Sequence, residues 1–349
     1  TREFLYNNCY VFEIIDLGAN WFESATVDTN IITYAKDREK QDKIEAYKIS
    51  KCENIELNKN EKDNFIFTSK DYGAWIILNK TEKDILEKVK KFKPLKDWNI
   101  NIYRGILTGF NEAFIIDEET KNKLILEDKK SKEIIKPLLR GRDIKRYSYD
   151  FKNLYLICTF PALNIDISDY PEIEKYLKSF GKRLEQSGEI GCRKKTIHKW
   201  FEMQDTIAYY KDFEKFKIVW KEMGSSPAFT LDNKNYYAND TCRIITGDNL
   251  HYLVAIFNSK CWDFIFKKFY AGGGLGDEGF RYKSEFMLDT AIPEIDKKTE
   301  KEIVNLVEKV IEGKKKGIDT REFEEEIDKI VYWLYGLSEE EVGIIEGKD

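Results

Sequence analysis

The chain has 349 residues, 42% hydrophobic and 35% charged, with a net charge of −5 at neutral pH. That length can bury a large core in more than one domain, and the negative total excludes a uniformly basic DNA coat. No run approaches the roughly 18 apolar residues of a membrane helix, and TREFLYNN at the start does not have the layout of a signal peptide. The chain does not begin with methionine, so a longer polypeptide is expected. Its six cysteines never form a CxxC pair and it has only two histidines. A Cys/His zinc site is therefore not expected, and a reducing cytoplasm is.

In chain order, CYVFEIIDLG and TVDTNIITYAK are apolar, β-branched runs that predict two strands, joined through ANWFESA. A second, shorter strand pair is expected through 64–68 and 75–78. TEKDILEKVKKF (81–92) predicts a helix with Thr81 at its N-cap, acids in the first turn and lysines in the last. From about 98 to 292, short aromatic and aliphatic strands alternate with glycines and Asn/Asp clusters. INIYRGILTGFNEAFIID (100–117) is expected to be a hairpin bending at Gly105 and Gly109, and LYLICTF, KIVWKEM and CRIITG are further strands. Helices are expected over 170–186, with Pro171 in the first turn, and over 251–270. Beyond Pro293 the pattern predicts helices over 297–316, ending at Gly313, and over 323–336.

Charge is unevenly distributed. From 296 onward there are 16 acids against 10 bases, so the preceding 295 residues sum to about +1. Residues 136–152 hold six bases against two acids, with Arg140, Arg142, Lys145 and Arg146 around Asp143 and Gly141. A second patch, GCRKKTIHKWFEMQD (191–205), sets Arg193, Lys194, Lys195, His198 and Lys199 beside Trp200 and ahead of Gln204. A third, FRYKSE, carries Arg281, Tyr282 and Lys283. Such side chains can hold phosphates or read base edges. The competing reading is three solvated loops of a lysine-rich protein.

Other motifs carry less. AGGGLGDEGF (271–280) lacks the strand before it and the GK[ST] after it that a phosphate loop needs, so a loop that orders on contact with a partner is expected. Asp117, Glu127 and Lys129 mimic a D…ExK metal nuclease. They lie in a Glu/Lys-rich stretch where a solvated hairpin or helix explains them as well. No nucleophile motif is present, and His251 on an apolar helix is expected to be structural.

RGILTGFNEAFIID followed by IIKPLLRGRDIKRY resembles the start of the TaqI-like specificity domain of type IIG restriction-modification enzymes and related adenine-N6 DNA methyltransferases. KIVWKEMGSSPAFTLDNKNYYANDTCRIIT, YLVAIFNSKCWDFIF (with Asn258 and Ser259) and LDTAIPEI resemble its middle and end. FEIIDLGANWFESATVDTNIITYAK is similar to the hairpin that closes the preceding methyltransferase domain. No Asn-Pro-Pro-Tyr motif and no glycine-rich S-adenosylmethionine turn occurs.

The resemblance implies an α+β chain in three parts. These are the end of a methyltransferase domain (1–70), a β-rich target recognition domain (71–295) and a helical C-terminal section (296–349) that packs on the 81–92 helix. It implies sequence-specific binding of double-stranded DNA, with the methyltransferase domain preceding in the same polypeptide. No catalytic or metal residue is expected in this chain. S-adenosylmethionine and Mg²⁺ would serve the parent enzyme, an adenine-specific methyltransferase with endonuclease activity. Phosphate contacts are assigned to Arg104, Arg140, Arg142, Lys145 and Arg146, with one arginine of the 140–142 pair structural. Base reading is assigned to 193–204 and 281–283, in the major groove. A type I specificity subunit, a self-contained Mg²⁺-dependent nuclease or methyltransferase, and a protein-interaction module built on the C-terminal helices stand as alternatives.

Overall fold

Two antiparallel or mixed four-stranded sheets, set between helices, form the centre of the molecule. The computed structural model describes residues 2–18, 21–22, 29–36, 45–48, 66–67, 76–271 and 279–348. The expectation of a partner-ordered glycine loop falls on 272–278, outside the described residues.

The first sheet runs Phe229–Asp232, Lys217–Lys221, Cys242–Gly247 and Ile100–Arg104, all antiparallel. Three of its strands are mostly buried on both faces, while the edge strand Ile100–Arg104 leaves Asn101 and Arg104 exposed. Ile218, Trp220, Phe229 and Ile245 join the helices on one side, while Val219, Cys242 and Ile244 join a second core on the other. Burial on both faces explains why these segments read as continuous apolar runs rather than alternating ones. The second sheet orders Tyr237–Ala238, Ile135–Leu139, Tyr155–Ile157 and Ile115–Ile116.

The expected hairpin over 100–117 does not form. Ile100–Arg104 pairs with Cys242–Gly247, and Ile115–Ile116 pairs with Tyr155–Ile157. Gly105 is where the chain passes from one sheet to the other. A Cβ there would lie 1.8 Å from the Asn239 carbonyl oxygen. The bare glycine lets Gly105 N donate to Cys242 O (2.9 Å) and Ile106 N to Ala238 O (2.8 Å).

The helix at 81–92 is Lys80–Val89, and its cap is Asn79 rather than Thr81. Asn79 Oδ1 accepts from Glu82 N and Glu82 Oε2 accepts from Asn79 N, a reciprocal capping box. Pro171–Lys178 starts at its proline and ends early, followed by a short 3-10 turn at Gly181–Leu184. The expected helix over 251–270 breaks at Ser259, which is extended and caps the next helix by accepting from Trp262 N. The break places Asn258, fully buried, against the edge strand of the first sheet. Its Oδ1 accepts from Phe229 N (3.1 Å) and its Nδ2 donates to Phe229 O (2.9 Å), which also accepts from Tyr147 N (2.9 Å), so the strand edge is satisfied by a side chain and a turn. Replacing Asn258 with alanine leaves buried Phe229 N without an acceptor, while Phe229 O keeps the bond from Tyr147 N (2.9 Å), and unfolding in urea should show a loss of about 1–3 kcal/mol with an unchanged m-value.

At the C-terminus, Lys297–Lys316 continues through Gly313, which packs against Thr320, and stops at Gly317, in the left-handed region at φ +69°. Arg321–Leu334 follows, and Glu339–Glu346 is a further helix that the sequence reading did not name. These helices share a core with Ile85, Leu86 and Val89 of Lys80–Val89, and Lys88 Nζ reaches Gly336 O (2.9 Å) and Glu341 Oε2 (2.6 Å). The expected packing of the helical section on the leading helix is present.

At the other end, Tyr10–Gly18 pairs antiparallel with Thr29–Ala35 and parallel with Glu45–Lys48, and Ile66–Phe67 pairs with Ile77–Leu78. Among the described residues no helix is long and apolar enough to cross a membrane.

Candidate nucleic-acid interface

The turn Gly141–Asp143 is held from both sides. Gly141 N donates to Thr241 Oγ1 (2.8 Å), and a Cβ at 141 would lie 2.9 Å from that hydroxyl, which fixes glycine there. Arg140 turns inward. Its Nε and Nη2 donate to the two oxygens of buried Asp143, each at 2.9 Å, and Asp143 Oδ2 also accepts from Arg140 N. That fork raises the Arg140 pKa above its ordinary value. With Arg140 turned in, Arg142 points out, exposed and without an ion-pair partner among the described residues.

Arg142 lines a cleft of about 620 Å³ whose other wall is far away in the chain. Lys221, Glu222 and Met223 at the end of a first-sheet strand, the turn Asn239–Thr241, and Arg281 complete it. Arg281 arrives because Phe280–Arg281 pairs with Met223–Gly224. Glu222 is the junction: its N donates to Thr241 O, its O accepts from Tyr282 N, and its carboxylate lies between Arg243 and Arg281 (3.7 Å to the latter).

Arg243 stands directly opposite Arg104 across the ladder. Like charges in that register repel, and each arginine has its own carboxylate: Glu222 for Arg243 and Asp205 for Arg104 (2.9 Å). A basic face thus runs from Arg104 through Arg243 to the Arg142–Arg281 cleft, with its charge partly offset by acids that a phosphate can displace.

The structure sorts the nominated residues. Arg142, Lys145, Lys194, Lys195, Lys199 and Arg281 are exposed. Arg104 is accessible but engaged by Asp205. Four assignments are corrected. Arg140 is committed to Asp143, as was expected of one arginine of the pair. Arg146, in the turn between Ile144–Lys145 and Ser148–Tyr149, has its Nε 2.8 Å from Glu324 Oε2, an ion pair without hydrogen-bond alignment. It ties that hairpin to the helix Arg321–Leu334 instead of to phosphate. Arg193 is buried and donates to Leu184 O, Glu202 O and Trp200 O, and burial lowers its pKa to about 10. Tyr282 is fully buried, and its hydroxyl donates to Asp263 Oδ1 (3.1 Å).

The remaining nominees are intermediate. His198 Nδ1 contacts Met203 O (3.2 Å), Trp200 lies under Lys178, and Lys283 lies over Phe286. Gln204, half-buried, rests against Gly109. Sequence reasoning missed Lys221, Glu222, Arg243 and the Asn239–Thr241 turn. The signal for Lys221 and Glu222 was a Lys-Glu pair closing an apolar strand in KIVWKEM, and Arg243 lies in CRIITG, both taken only as strands.

The nuclease alternative fails on geometry. Asp117 caps the helix Glu118–Glu127 by accepting from Thr120 N (2.8 Å). Glu127 ends that same helix, about 15 Å away at 1.5 Å per residue, too far to share a metal.

Residues 136–275, which include the turn at Arg142 and most of the cleft, match the TaqI-like C-terminal specificity domain. This stretch is similar to a TaqI-like specificity domain. Over 235 residues the chain is also 25% identical to the type II methyltransferase M.MjaIV of Methanocaldococcus jannaschii, covering 65% of this chain and 76% of that protein. The fold is similar to that of the type IIL restriction-modification enzyme MmeI, solved in complex with DNA, at a TM-score of 0.53 and 12% identity. That alignment covers 98% of this chain and 46% of MmeI. The type IIG restriction endonuclease BpuSI aligns at a TM-score of 0.41 and 12% identity, over 95% of this chain and 44% of its own. The chain spans less than half the length of either enzyme. Both arginines of the 140–142 turn and the loop carrying Lys194 to Gln204 fall inside the matched span, while Arg281 lies just past it.

Proposed function

We propose that this chain recognises a specific sequence in double-stranded DNA as the target-reading part of a restriction-modification enzyme. The carrying observation is that Arg142 and Arg281, from separate basic patches, meet across one cleft built on a specificity domain. Arg142 and Lys145 would hold phosphates, joined by Arg281, assigned to base reading from the sequence but sharing the Arg142 cleft, and by Arg104 when Asp205 releases it. Lys194, Lys195, Lys199 and Gln204 are placed to read bases in the major groove. The adenine-N6 methyltransferase would precede this chain in the same polypeptide and hold S-adenosylmethionine, while Mg²⁺ would serve a nuclease site elsewhere in the parent enzyme. Work on chromosomal DNA places such an enzyme in the cytoplasm.

Methylation mapping of the source genome supplies the site to test. This chain should bind the mapped duplex at least about tenfold more tightly than a scrambled one, and Lys195→Ala or Gln204→Ala should shift preference at about one base pair. Equal affinity for every duplex would refute sequence-specific reading.

A further inference from the structure

The loop that leaves the turn Gly181–Leu184 spends a buried guanidinium on its own shape. Arg193 reaches three carbonyls across it at 2.6–2.8 Å. Gln186 Nε2 adds bonds to Lys199 O and Glu202 O, both 2.9 Å. Gly188 N donates to Arg193 O and Arg193 N to Glu185 O, closing the turn from within. Burying an arginine with carbonyls as its only acceptors is costly, and what it secures is a fixed display.

The display is apolar. Ile190 and Ile197 are 100% and 99% exposed, the most exposed of the chain's large hydrophobic side chains among the described residues. Lys194, Lys195 and Lys199 stand exposed beside them. The foot of the loop rests on the basic face: Gln204 N donates to Thr108 O, and Asp205 holds Arg104. Exposed isoleucines with Lys194, Lys195 and Lys199 close by in the chain, and Glu189 offset by Lys182 (3.0 Å), match the chemistry of a duplex. An apolar side chain parts stacked bases, while cations take the flanking phosphates.

We propose that Ile190 and Ile197 form a wedge that enters the DNA and unstacks a base step at the recognition site, beside the bases that Lys194, Lys195 and Lys199 read. The wedge rests on the DNA reading above. Pre-forming the loop removes the ordering cost that a flexible loop would add to insertion.

The test scans 2-aminopurine through the mapped site in duplexes bound by this chain. One step should brighten several-fold on binding. The double variant Ile190→Ala/Ile197→Ala should lose that brightening and bind at least tenfold more weakly, while keeping its salt dependence, since Arg142, Lys145 and Arg281 remain. Ile190→Ser/Ile197→Ser should behave alike, and both should melt with the unaltered chain because the side chains touch only solvent. Retained brightening in either variant overturns the wedge. Tight duplex binding with no bright step overturns it too and leaves the DNA reading standing. Failure of the unaltered chain to bind duplex overturns both.

Discussion

Replacing Arg142 and Arg281 together with alanine should weaken binding to every duplex by about 10- to 100-fold at 0.15 M salt and reduce the slope of log affinity against log salt by about two. The effect is uniform across sequences because phosphate contacts position the protein without reading bases. Arg142 should contribute more than Arg281. Arg142 has no carboxylate partner among the described residues, so its whole charge is available. Arg281 must first leave Glu222, 3.7 Å away, which Arg243 then retains. Arg142 is exposed and Arg281 half-exposed, so stability should be little changed. A loss confined to one DNA sequence would instead make Arg142 a base reader. Isothermal titration over a salt series distinguishes the two.

The largest effect on stability is expected at Gly105→Ala. The added Cβ would meet the backbone of Asn239, with its oxygen at 1.8 Å and its carbonyl carbon at 2.5 Å, and the Ala238 oxygen at 2.9 Å. None of these atoms is the flexible end of a side chain, so the two sheets must separate. The chain then loses Gly105 N to Cys242 O, Ile106 N to Ala238 O and Asp240 N to Ile106 O. A loss of about 4 kcal/mol or more follows, read as a lower midpoint in urea. Because Asn239 and Thr241 form one wall of the cleft, DNA affinity should fall even under conditions where the variant stays folded. A variant as stable as the unaltered chain would mean that the two sheets are not joined at this point.

Much of the frame was legible in the sequence because it is local. The periodicity of 297–316 gives the helix Lys297–Lys316, and the apolar runs KIVWKEM, LYLICTF and CRIITG give strands. What failed depends on distant partners. No local signal says that Ile100–Arg104 pairs with Cys242–Gly247 instead of turning back on 115–116, nor that the 251–270 helix must break so that Asn258 can reach Phe229. The site shows the same division. Composition located the basic patches, yet it could not separate Arg142, which faces out, from Arg140 and Arg146, which are consumed by Asp143 and Glu324. Arg193 looked like part of a binding patch and is the peg of a loop, whereas the two isoleucines it displays drew no notice because a lone apolar residue in a loop carries no sequence signal.

Photo-crosslinking tests most directly whether the separated basic segments form one surface for a duplex. Benzoylphenylalanine would replace Arg142, Arg281 or Lys195 singly, with Lys315 on the C-terminal helix as the reference position. Adducts from 142, 281 and 195 should map within one mapped DNA site, those from 142 and 281 within a few base pairs of each other, and 315 should give none. Adducts from 315 with silence at 142 and 281 would contradict the account.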